Sequence, residues 1–363
     1  MILTLSNRTA GIIITGSRIS NSDGSHLASK TAPDGATTVA TAGIAGCLGQ
    51  GGASLDSVTV AYVPIYPNMQ HYVMEREGYY EDIPVDVTIE RFSSGPNVVK
   101  AFASGDVDVT SFGITPAMVL VDKGTDAGVL AANSRNGFRV MGTTELADLY
   151  EQEGAATFDR FEEEQGRKVR FGAPPDGSVP DIVLQYWIQK DLDIGETESV
   201  IDKSKVPPAK AVQTIQSGDI DATIIQEPFA TIIGQDDDFG ELAWSGNILE
   251  NHPVTVLFAN QQVLDDSDVA GSLAEQHIAA TEFTGDSLDA AAAHAASVIG
   301  SGVSEELATA AMDSRASDFF SNPHAITDQA ATMGEFAANL GNIEEPIAAA
   351  DLFASGPYDA IQE

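Results

Sequence analysis

The stretch that decides the fold is Ser217-Gly218-Asp219-Ile220-Asp221-Ala222-Thr223, which repeats Ser104-Gly105-Asp106-Val107-Asp108-Val109-Thr110. A run typical of a helix precedes each copy, and a short apolar run typical of a β-strand follows it. The glycine stands where a helix ends in a residue with positive φ. A turn containing Pro116 or Pro228 then opens a further helix. Two matching units predict two lobes of similar construction.

The charge of the chain excludes some classes of function. The 363 residues include 18 Lys and Arg against 54 Asp and Glu, a formal net charge of −36. A nucleic-acid-binding protein needs a basic face, so that class is excluded. With 43% apolar residues the chain can bury a core. Self-repulsion of this size is screened only at ~1 M salt, where the Debye length is about 3 Å. The composition therefore predicts the protein of an extreme halophile.

The first 46 residues are interpreted as a signal or targeting segment rather than a folded domain. They end in Ile44-Ala45-Gly46-Cys47, which resembles a lipobox, and Cys47 is the expected lipidation site. A linker composition follows, so residues 47–56 are interpreted as the linker of a lipid anchor. The alternative for a lone cysteine is a buried structural residue.

From Leu55 onward the pattern alternates between strands and helices. Val58–Val63 and Val85–Phe92 are predicted strands, and Met69–Glu77 is a predicted helix that Gly78 ends. The next helix is expected to begin at Ser94 or Gly95, with a proline just inside it. This alternation is typical of an α/β fold with right-handed crossovers.

Several of these stretches together resemble a known family. A helix ending in Ser-Gly-Asp-x-Asp-Ala, followed by a strand and Glu227-Pro228, resembles the second lobe of type II periplasmic substrate-binding proteins. More narrowly, the sequence is similar to the nitrate/sulfonate/taurine-binding family, to which binders of thiamine pyrimidine precursors are related. The stretches 58–64, 172–178 and 341–353 agree with this family. If the lobes have the usual size of domains, the resemblance covers roughly residues 57–353.

The resemblance implies a two-lobed type II periplasmic-binding-protein fold. Each lobe would be a mixed, mostly parallel sheet flanked by helices. Residues 57–137 would form the first part of lobe 1, residues 138–253 lobe 2, and residues 254–363 the return to lobe 1 with the C-terminal helices. The chain crossings near 136–142 and 250–256 would serve as the hinge.

The predicted binding site lies where strands end and helices begin. Ligands of open α/β sheets bind at that edge, and helix N-termini favour anionic groups there. The backbone N–H groups of Ser94–Gly95 and Gly177–Ser178 are expected to hold an anion, while Glu227 would oppose an anion or pair with an amine. The residues expected to bind the solute are Tyr66, Pro67, Gln70, Ser93, Ser94, Gly95, Gly113, Ile114, Thr115, Asn133, Asp176, Gly177, Ser178 and Glu227.

These features together predict the extracytoplasmic solute-binding component of an ABC importer, anchored to the outer face of the cell membrane. Its solute would be small and anionic, of the sulfonate/taurine, nitrate or bicarbonate type. Its partners would be the ABC permease and ATPase subunits. We expect a monomer with no cofactor, no metal and no nucleic acid.

Two other classes of function remain open alternatives. One is an enzyme on the same fold, of the chorismate dehydratase or menaquinone-pathway group, and the other is a binder of a pyrimidine thiamine precursor. Enzyme motifs are weak, since the six histidines show no paired metal spacing and neither a P-loop nor a Gly-x-Ser-x-Gly elbow occurs. His71 is interpreted as a surface histidine. The effector domain of a transcription regulator would need a basic helix-turn-helix, which the N-terminal region lacks.

Overall fold

The computed structural model describes residues 55–299 and 303–362. The signal segment, Cys47 and nearly all of the predicted linker therefore lie outside the described residues. Up to the first crossing between the lobes, the elements are β1 (Ser57–Tyr62), α1 (Met69–Glu77), β2 (Asp86–Arg91), α2 (Gly95–Ser104), β3 (Val109–Gly113), α3 (Ile114–Asp122) and β4 (Ala127–Arg135), with 3-10 turns at Tyr66–Asn68 and Tyr79–Asp82.

The second group of elements forms the other lobe. They are β5 (Arg139–Thr143), α4 (Thr144–Glu153), α5 (Thr157–Gln165), β6 (Val169–Ala173), α6 (Val179–Tyr186), α7 (Thr197–Val200), β7 (Ile201–Lys205), α8 (Pro208–Gln216), β8 (Ala222–Ile225), α9 (Phe229–Gly234), β9 (Phe239–Trp244) and α10 (Ser245–Ile248). A 3-10 turn, Gly154–Ala156, separates α4 from α5, and a π-helical turn, Trp187–Asp191, follows α6.

The chain then returns to the first sheet. The elements of this last part are β10 (Pro253–Asn260), α11 (Gln261–Asp265), α12 (Ser267–Asp286), α13 (Leu288–Ile299), α14 (Glu305–Met312), β11 (Asp318–Phe319), α15 (Thr327–Asn339), α16 (Ala349–Leu352) and α17 (Gly356–Gln362), with a 3-10 turn at Pro323–Ile326.

The strands form two mixed sheets with the same order. Sheet A runs β11-β4-β10-β3-β1-β2 and sheet B runs β7-β6-β8-β5-β9. Without β11, sheet A read from the other end, β2-β1-β3-β10-β4, matches sheet B strand for strand. We call the part built on sheet A lobe A and the part built on sheet B lobe B. In both sheets the strand that follows a crossing, β10 or β5, lies next to the outermost strand of this shared order and runs antiparallel to both neighbours.

The prediction of two mixed, mostly parallel sheets in two lobes is confirmed. Parallel pairs join β1 to β2 and β3, and β6 to β7 and β8. The other neighbouring pairs are antiparallel. Within the shared order of five strands, four run in one direction and β10 or β5 runs against them, because the strand after each crossing enters its sheet from the other lobe. β11 adds a second reversed strand at the edge of sheet A.

The two repeated Ser-Gly-Asp units make equivalent contacts. Gly105 and Gly218 have φ values of 79° and 73°, which place both in the left-handed region. The Ser104 hydroxyl donates to Asp106 over 2.7 Å, and the Ser217 hydroxyl to Asp219 over 2.8 Å. One further carboxylate in each unit accepts a backbone N–H from the adjacent strand, Asp108 from Thr59 and Asp221 from Arg170, both over 2.8 Å. The repeat in sequence is therefore a repeat in structure.

Two short segments cross between the lobes, residues 136–138 and 249–252. Asn136 and Asn251 have positive φ values, 55° and 60°, which asparagine adopts more readily than most residues. The Asn136 N–H donates to the His252 carbonyl over 3.1 Å, so the two crossings run side by side. Trp244 of lobe B donates its indole N–H to the Asn136 carbonyl over 2.8 Å.

Helix α15 packs against both lobes. It contacts α3 of lobe A and α6 of lobe B. Phe336 of α15 lies edge-on to Tyr186 of α6, with ring centroids 5.4 Å apart. Met333 and Phe336 belong to one apolar core that includes Met118 of α3 and Ile182 of α6. The core of the molecule therefore continues from one lobe to the other, and the lobes lie in contact.

Candidate functional site

The two lobes meet where α3 and α6 begin. The Thr115 hydroxyl, in the first turn of α3, donates to the Gly177 carbonyl over 2.8 Å. A Cβ atom added to Gly113 would lie 2.9 Å from a methyl carbon of Val179, so the two backbones approach closely here. Both segments follow a strand, β3 in lobe A and β6 in lobe B. The predicted residues Gly113, Ile114 and Thr115 thus lie against Gly177 and Ser178 across the interlobe cleft.

The loop before α6 is held by its own hydrogen bonds. The Gly177 N–H donates to Asp181 Oδ2 over 2.9 Å, and the Ser178 N–H donates to the Pro175 carbonyl over 3.0 Å. The expectation that these two N–H groups are available to an anion is therefore wrong. The side chain of Asp181 reaches back one residue further than a capping box requires. Gly177 has φ 75°, which suits glycine.

The Ser178 hydroxyl is the polar group of this loop that remains available. Its Oγ is buried and has no hydrogen-bond partner within residues 55–299 and 303–362. A buried hydroxyl without a partner loses about 1–3 kcal/mol. A ligand that hydrogen-bonds to this oxygen would remove that cost. Ser178 is therefore the strongest candidate for contact with a solute among the predicted residues on lobe B.

A buried ion pair between Asp181 and Lys203 holds this loop against β7. Asp181 Oδ1 accepts from Lys203 Nζ over 2.7 Å, and Asp181 Oδ2 accepts from Gln185 Nε2 over 3.0 Å. Burial lowers the pKa of Lys203, but the hydrogen bonds and charges of Asp181 and Asp176 raise it by more, so the pKa lies above its ordinary value. Lys203 is therefore cationic and committed to these carboxylates rather than to a solute.

On the lobe A side, the predicted residues form a buried polar support. Gln70 Nε2 donates to the Asn133 carbonyl over 2.8 Å, and the Pro67 carbonyl accepts from the Thr255 hydroxyl over 2.6 Å. Gln70, Asn133 and Tyr66 are each at most 1% exposed. The Tyr66 hydroxyl lies 3.5 Å from the Ala308 carbonyl. These contacts fix the turn between β1 and α1 to β4, β10 and α14.

Glu227 is almost fully buried, at 1% exposure. Its Oε2 accepts from the Thr231 N–H over 2.9 Å, and its Oε1 lies 3.4 Å from Arg139 Nη1. Burial raises the pKa of the Tyr66 hydroxyl, and the nearby charge of Glu227 raises it further. Tyr66 therefore remains a neutral hydrogen-bond donor.

Four of the predicted residues are not brought into this contact. Asp176 is 76% exposed at its side chain and pairs with Lys203 over 3.1 Å. Ser94 precedes α2 and its carbonyl accepts from the Asn97 N–H over 3.2 Å. Within the part of the chain that the structure describes, no hydrogen bond links residues 93–95 to the other predicted residues. A role for Ser93, Ser94, Gly95 and Asp176 in binding stays a prediction.

The interpretation of His71 as a surface residue is wrong. His71 is 1% exposed, stacks on Tyr62 at 4.7 Å between ring centroids, and bonds through Nε2 to the Ser111 hydroxyl over 2.6 Å. Burial, with a smaller effect from nearby His277, lowers its pKa to about 3. His71 is a neutral core residue.

The sequence interpretation missed the charged residues beside Glu227, namely Arg139, Glu241 and Arg315. Arg139 bridges Glu227 and Glu241, and Arg315 contacts Glu241 from the other side. A signal was present, because an arginine inside a predicted strand is unusual in a chain with only 18 basic residues. The partners were not predictable, since they come from distant parts of the sequence.

No group of three or more His, Cys, Asp or Glu side chains is placed to hold a metal ion within residues 55–299 and 303–362. Over the same ranges, no helix combines the length and the apolar character that crossing a membrane requires.

Comparison of the sequence with known proteins identifies one family. Residues 51–300 match the sequence profile of the NMT1-like family. No curated protein sequence matches the chain significantly.

Similar solved structures include three that differ in the ligand named for each. The zinc-bound ligand-binding component of an ABC-type import system from Staphylococcus aureus has 17% identity and a TM-score of 0.67, covering 84% of this chain and 98% of that one. The aliphatic sulphonate binding protein SsuA from Escherichia coli has 14% identity and a TM-score of 0.65, covering 83% and 92%. The nitrate-binding protein NrtA from Synechocystis PCC 6803 has 13% identity and a TM-score of 0.66, covering 85% of each chain. The fold of this chain is that of periplasmic binding proteins.

Proposed function

The chain belongs to the NMT1-like family, and from this membership we propose that it is the solute-binding component of an ABC importer. It captures a small solute between its lobes and presents it to a permease, which an ATPase drives. The observation that carries this proposal is the meeting of two strand-to-helix turns from the two lobes, with Thr115 after β3 on one lobe and Gly177–Ser178 after β6 on the other. Equivalent edges of two facing lobes form a clamp around a ligand.

The proposed solute is a small anion of the sulfonate/taurine, nitrate or bicarbonate type. Neutral donors would bind it, since Lys203 and Arg139 beside the cleft are already paired with carboxylates. The Ser178 hydroxyl is the main candidate donor on lobe B, with the N–H groups at the start of α2 on lobe A. The Thr115 hydroxyl donates to the Gly177 carbonyl in this structure and would have to exchange that bond for one to the solute. Recognition through hydroxyls and backbone N–H groups suits an anion whose oxygens accept several hydrogen bonds.

The proposed location is outside the cell membrane, with Cys47 as the lipid-bearing residue. In this arrangement the glycine- and serine-containing linker up to residue 56 would separate the folded lobes from the anchor. The protein would act as a monomer, and both lobes would come from a single chain.

A thermal-shift screen in high salt tests the solute class. Sulfonates, taurine, nitrate, bicarbonate and pyrimidines are each added to the protein, and a ligand in 100-fold excess over its dissociation constant should stabilise the fold by about 2.7 kcal/mol. Stabilisation by an anion supports the proposal. Stabilisation by a cationic solute alone would contradict the anion and favour Glu227 as the main contact.

Titration calorimetry on variants then tests the site. Ser178→Ala should weaken binding by about tenfold to a hundredfold, because a hydrogen bond to a charged group is worth about 1.5–3 kcal/mol. Ser217→Ala is the matched control, since its hydroxyl bonds to Thr214 and Asp219 at the exposed end of α8. Equal affinities in both variants would place the solute elsewhere.

The competing hypothesis of an enzyme on the same fold predicts a different outcome in the same experiment. A binding protein performs no chemistry and returns its ligand intact. Mass spectrometry of the ligand after prolonged incubation with the protein distinguishes the two, because conversion of the ligand would show turnover.

A further inference from the structure

A segment of lobe A reaches across to lobe B beside Glu227. Residues 313–317 connect α14 to β11, and β11 pairs with β4 of sheet A. Asp318 of β11 accepts from Arg135 Nε over 2.7 Å, and the Phe320 N–H donates to the Asn133 carbonyl over 3.1 Å. The backbone of this segment is therefore fixed to sheet A.

The side chain of Arg315 extends from this segment onto sheet B. Its guanidinium contacts the carboxylate of Glu241 on β9 and lies over the ring of Trp244, 4.9 Å from the centroid. Arg315 is therefore bound by two residues of the other lobe. A rotation of one lobe against the other would change both contacts, because Arg315 belongs to lobe A and its partners belong to lobe B.

Arg139 connects this contact to the interior. Its Nε binds Glu241, and its Nη1 lies 3.4 Å from the Glu227 carboxylate. The four residues thus alternate in charge, in the order Glu227, Arg139, Glu241, Arg315. The Glu227 side chain is fully buried, those of Arg139 and Glu241 are 20% and 18% exposed, and that of Arg315 is 52% exposed. A cavity of about 380 Å³ lies beside the series, lined also by Thr231, Ser314 and Asp313.

The charged groups that line this cavity cancel, because Arg139 and Arg315 are matched by the carboxylates of Glu241 and Asp313. The cavity therefore offers no net charge to a charged ligand. The series has another use. Its inner three members lie on lobe B, and only its outer link, between Arg315 and Glu241, joins the lobes.

We propose that these residues form an interlobe latch: the link from Arg315 to Glu241 and Trp244 holds the lobes closed, and Arg139 is a positioning residue that ties the latch to Glu227 in the cleft. Arg139 pairs with both Glu227 and Glu241, so a group that binds at Glu227 or Arg139 shifts the balance between these two ion pairs. When Arg139 pairs less with Glu241, the Glu241 carboxylate interacts more strongly with Arg315, and the reverse also holds. Closure and occupancy of the cleft are coupled through this one guanidinium.

The test measures the distance between the lobes without any solute, so its outcome does not depend on the proposed function. In a Cys47→Ser background, Glu163→Cys on α5 and Glu275→Cys on α12 place spin labels on exposed positions of the two lobes. Double electron–electron resonance then gives the distribution of distances between them. The protein with an unaltered latch should give mainly one distance, that between these two positions in the present structure.

Arg315→Gln should raise the ratio of open to closed molecules by about fivefold to tenfold, because a partly exposed ion pair and a cation–π contact are lost together. Glu241→Gln should have a similar effect, and the double variant should not exceed the sum of the two. Arg91→Gln is the control, since it removes an ion pair to Glu75 that lies within lobe A.

The coupling has its own readout. Arg139→Gln leaves Arg315 and Glu241 in place, so it should alter the distance distribution less than Arg315→Gln does. It should instead remove any dependence of that distribution on a ligand found in the screen. An unchanged distribution in Arg315→Gln, in protein whose circular dichroism matches the parent, would overturn the latch.

Discussion

Lowering the pH from 7.5 to 5 should destabilise this protein through three buried histidines, His71, His252 and His277. Each is at most 1% exposed. Burial lowers the pKa of His71 and His277 to about 3 and that of His252 to about 4. In the unfolded chain each titrates near 6.5. The folded state therefore keeps all three neutral at a pH where the unfolded chain binds protons.

The hydrogen bonds explain why protonation is unfavourable. His277 Nε2 bonds to Asn133 Oδ1 over 3.0 Å, while its Nδ1 has no partner in the described ranges 55–299 and 303–362. His252 Nδ1 bonds to the Pro253 carbonyl over 3.3 Å, and its Nε2 is without a partner over those same residues. A second N–H on either ring would be buried with no acceptor. In His71 both ring nitrogens face hydroxyls, but His277 lies close enough to oppose a second charge.

The magnitude follows from these pKa values. Their stabilising contribution is complete above pH 6.5 and is lost as the pH falls from 6.5 toward the folded-state values. At pH 5 each histidine should cost about 2 kcal/mol relative to pH 7.5, or about 6 kcal/mol together. Since domains are stable by about 5–15 kcal/mol, this loss is a large fraction of the total.

Denaturant unfolding at constant high salt, at half-unit steps between pH 7.5 and 5, measures the effect. His277→Gln should reduce the pH slope of the unfolding free energy by about one third, because one of three proton-binding groups is gone. His324→Gln is the control, since His324 is 53% exposed at its side chain. A free energy of unfolding that stays constant over this pH range would refute the reasoning.

Three further predictions concern the charge, the anchor and the repeated unit. Lowering the salt from ~1 M to tens of millimolar should lower the melting temperature, because screening weakens severalfold; a salt-independent melting temperature would count against halophilic adaptation. Cys47→Ser should release the protein from the membrane fraction, whereas parent protein found wholly in the soluble fraction would exclude the anchor. Asp221→Asn should lower the free energy of unfolding, measured with denaturant, by about 1–3 kcal/mol. Asp108→Asn should lower it less, because Asp221 pairs with two arginines and Asp108, among the described residues, does not. Equal losses in the two variants would contradict that role for the arginines.

Asp221 also has its own pH dependence. Burial raises the pKa of its carboxyl, but hydrogen bonds from Arg170 and Arg167 lower it by more, to about 2. The carboxylate therefore contributes stability above its ordinary pKa of 3.8, and this contribution is lost only as the pH falls toward 2. The histidine window lies at higher pH, so the two effects are separable in the same titration.

Sequence patterns predicted the strands and helices whose periodicity and end signals agreed. The helix Met69–Glu77 ends at Gly78 as predicted, and the strand Val169–Gly172 differs from β6 by one residue. The strands β7, β9 and β11 were missed. Each lies at the edge of a sheet, and β7, Ile201-Asp-Lys-Ser-Lys, buries only its first residue. An edge strand with one buried position carries no apolar alternation to detect.

The site was predicted less completely than the fold. The pattern of strand ends and caps placed the turns at 113–115 and 176–178 in one predicted site, and in the structure Thr115 contacts Gly177. It did not predict that Asp181 and the Pro175 carbonyl would accept from the N–H groups of this loop. Such contacts depend on the path of the backbone between capped positions. The partners of Arg139 were equally hidden, because Glu227, Glu241 and Arg315 come together only after the sheets form.

The position of β10 in sheet A has a consequence for the order of folding. β4 ends at Arg135 and its neighbour β10 begins at Pro253, so all five strands of sheet B lie between them in the sequence. On a ribosome, sheet B is complete when Trp244 has emerged, whereas sheet A lacks its central strand until Asn260. Once sheet B has formed, the ends of this long insertion lie together, with Asn136 N–H bonded to the His252 carbonyl over 3.1 Å. The entropy cost of closing the loop between β4 and β10 is then already met by the folding of lobe B, so the pairing of these two strands does not have to meet it again. We therefore expect lobe B to form first and to bring β10 next to β4, which completes the sheet of lobe A.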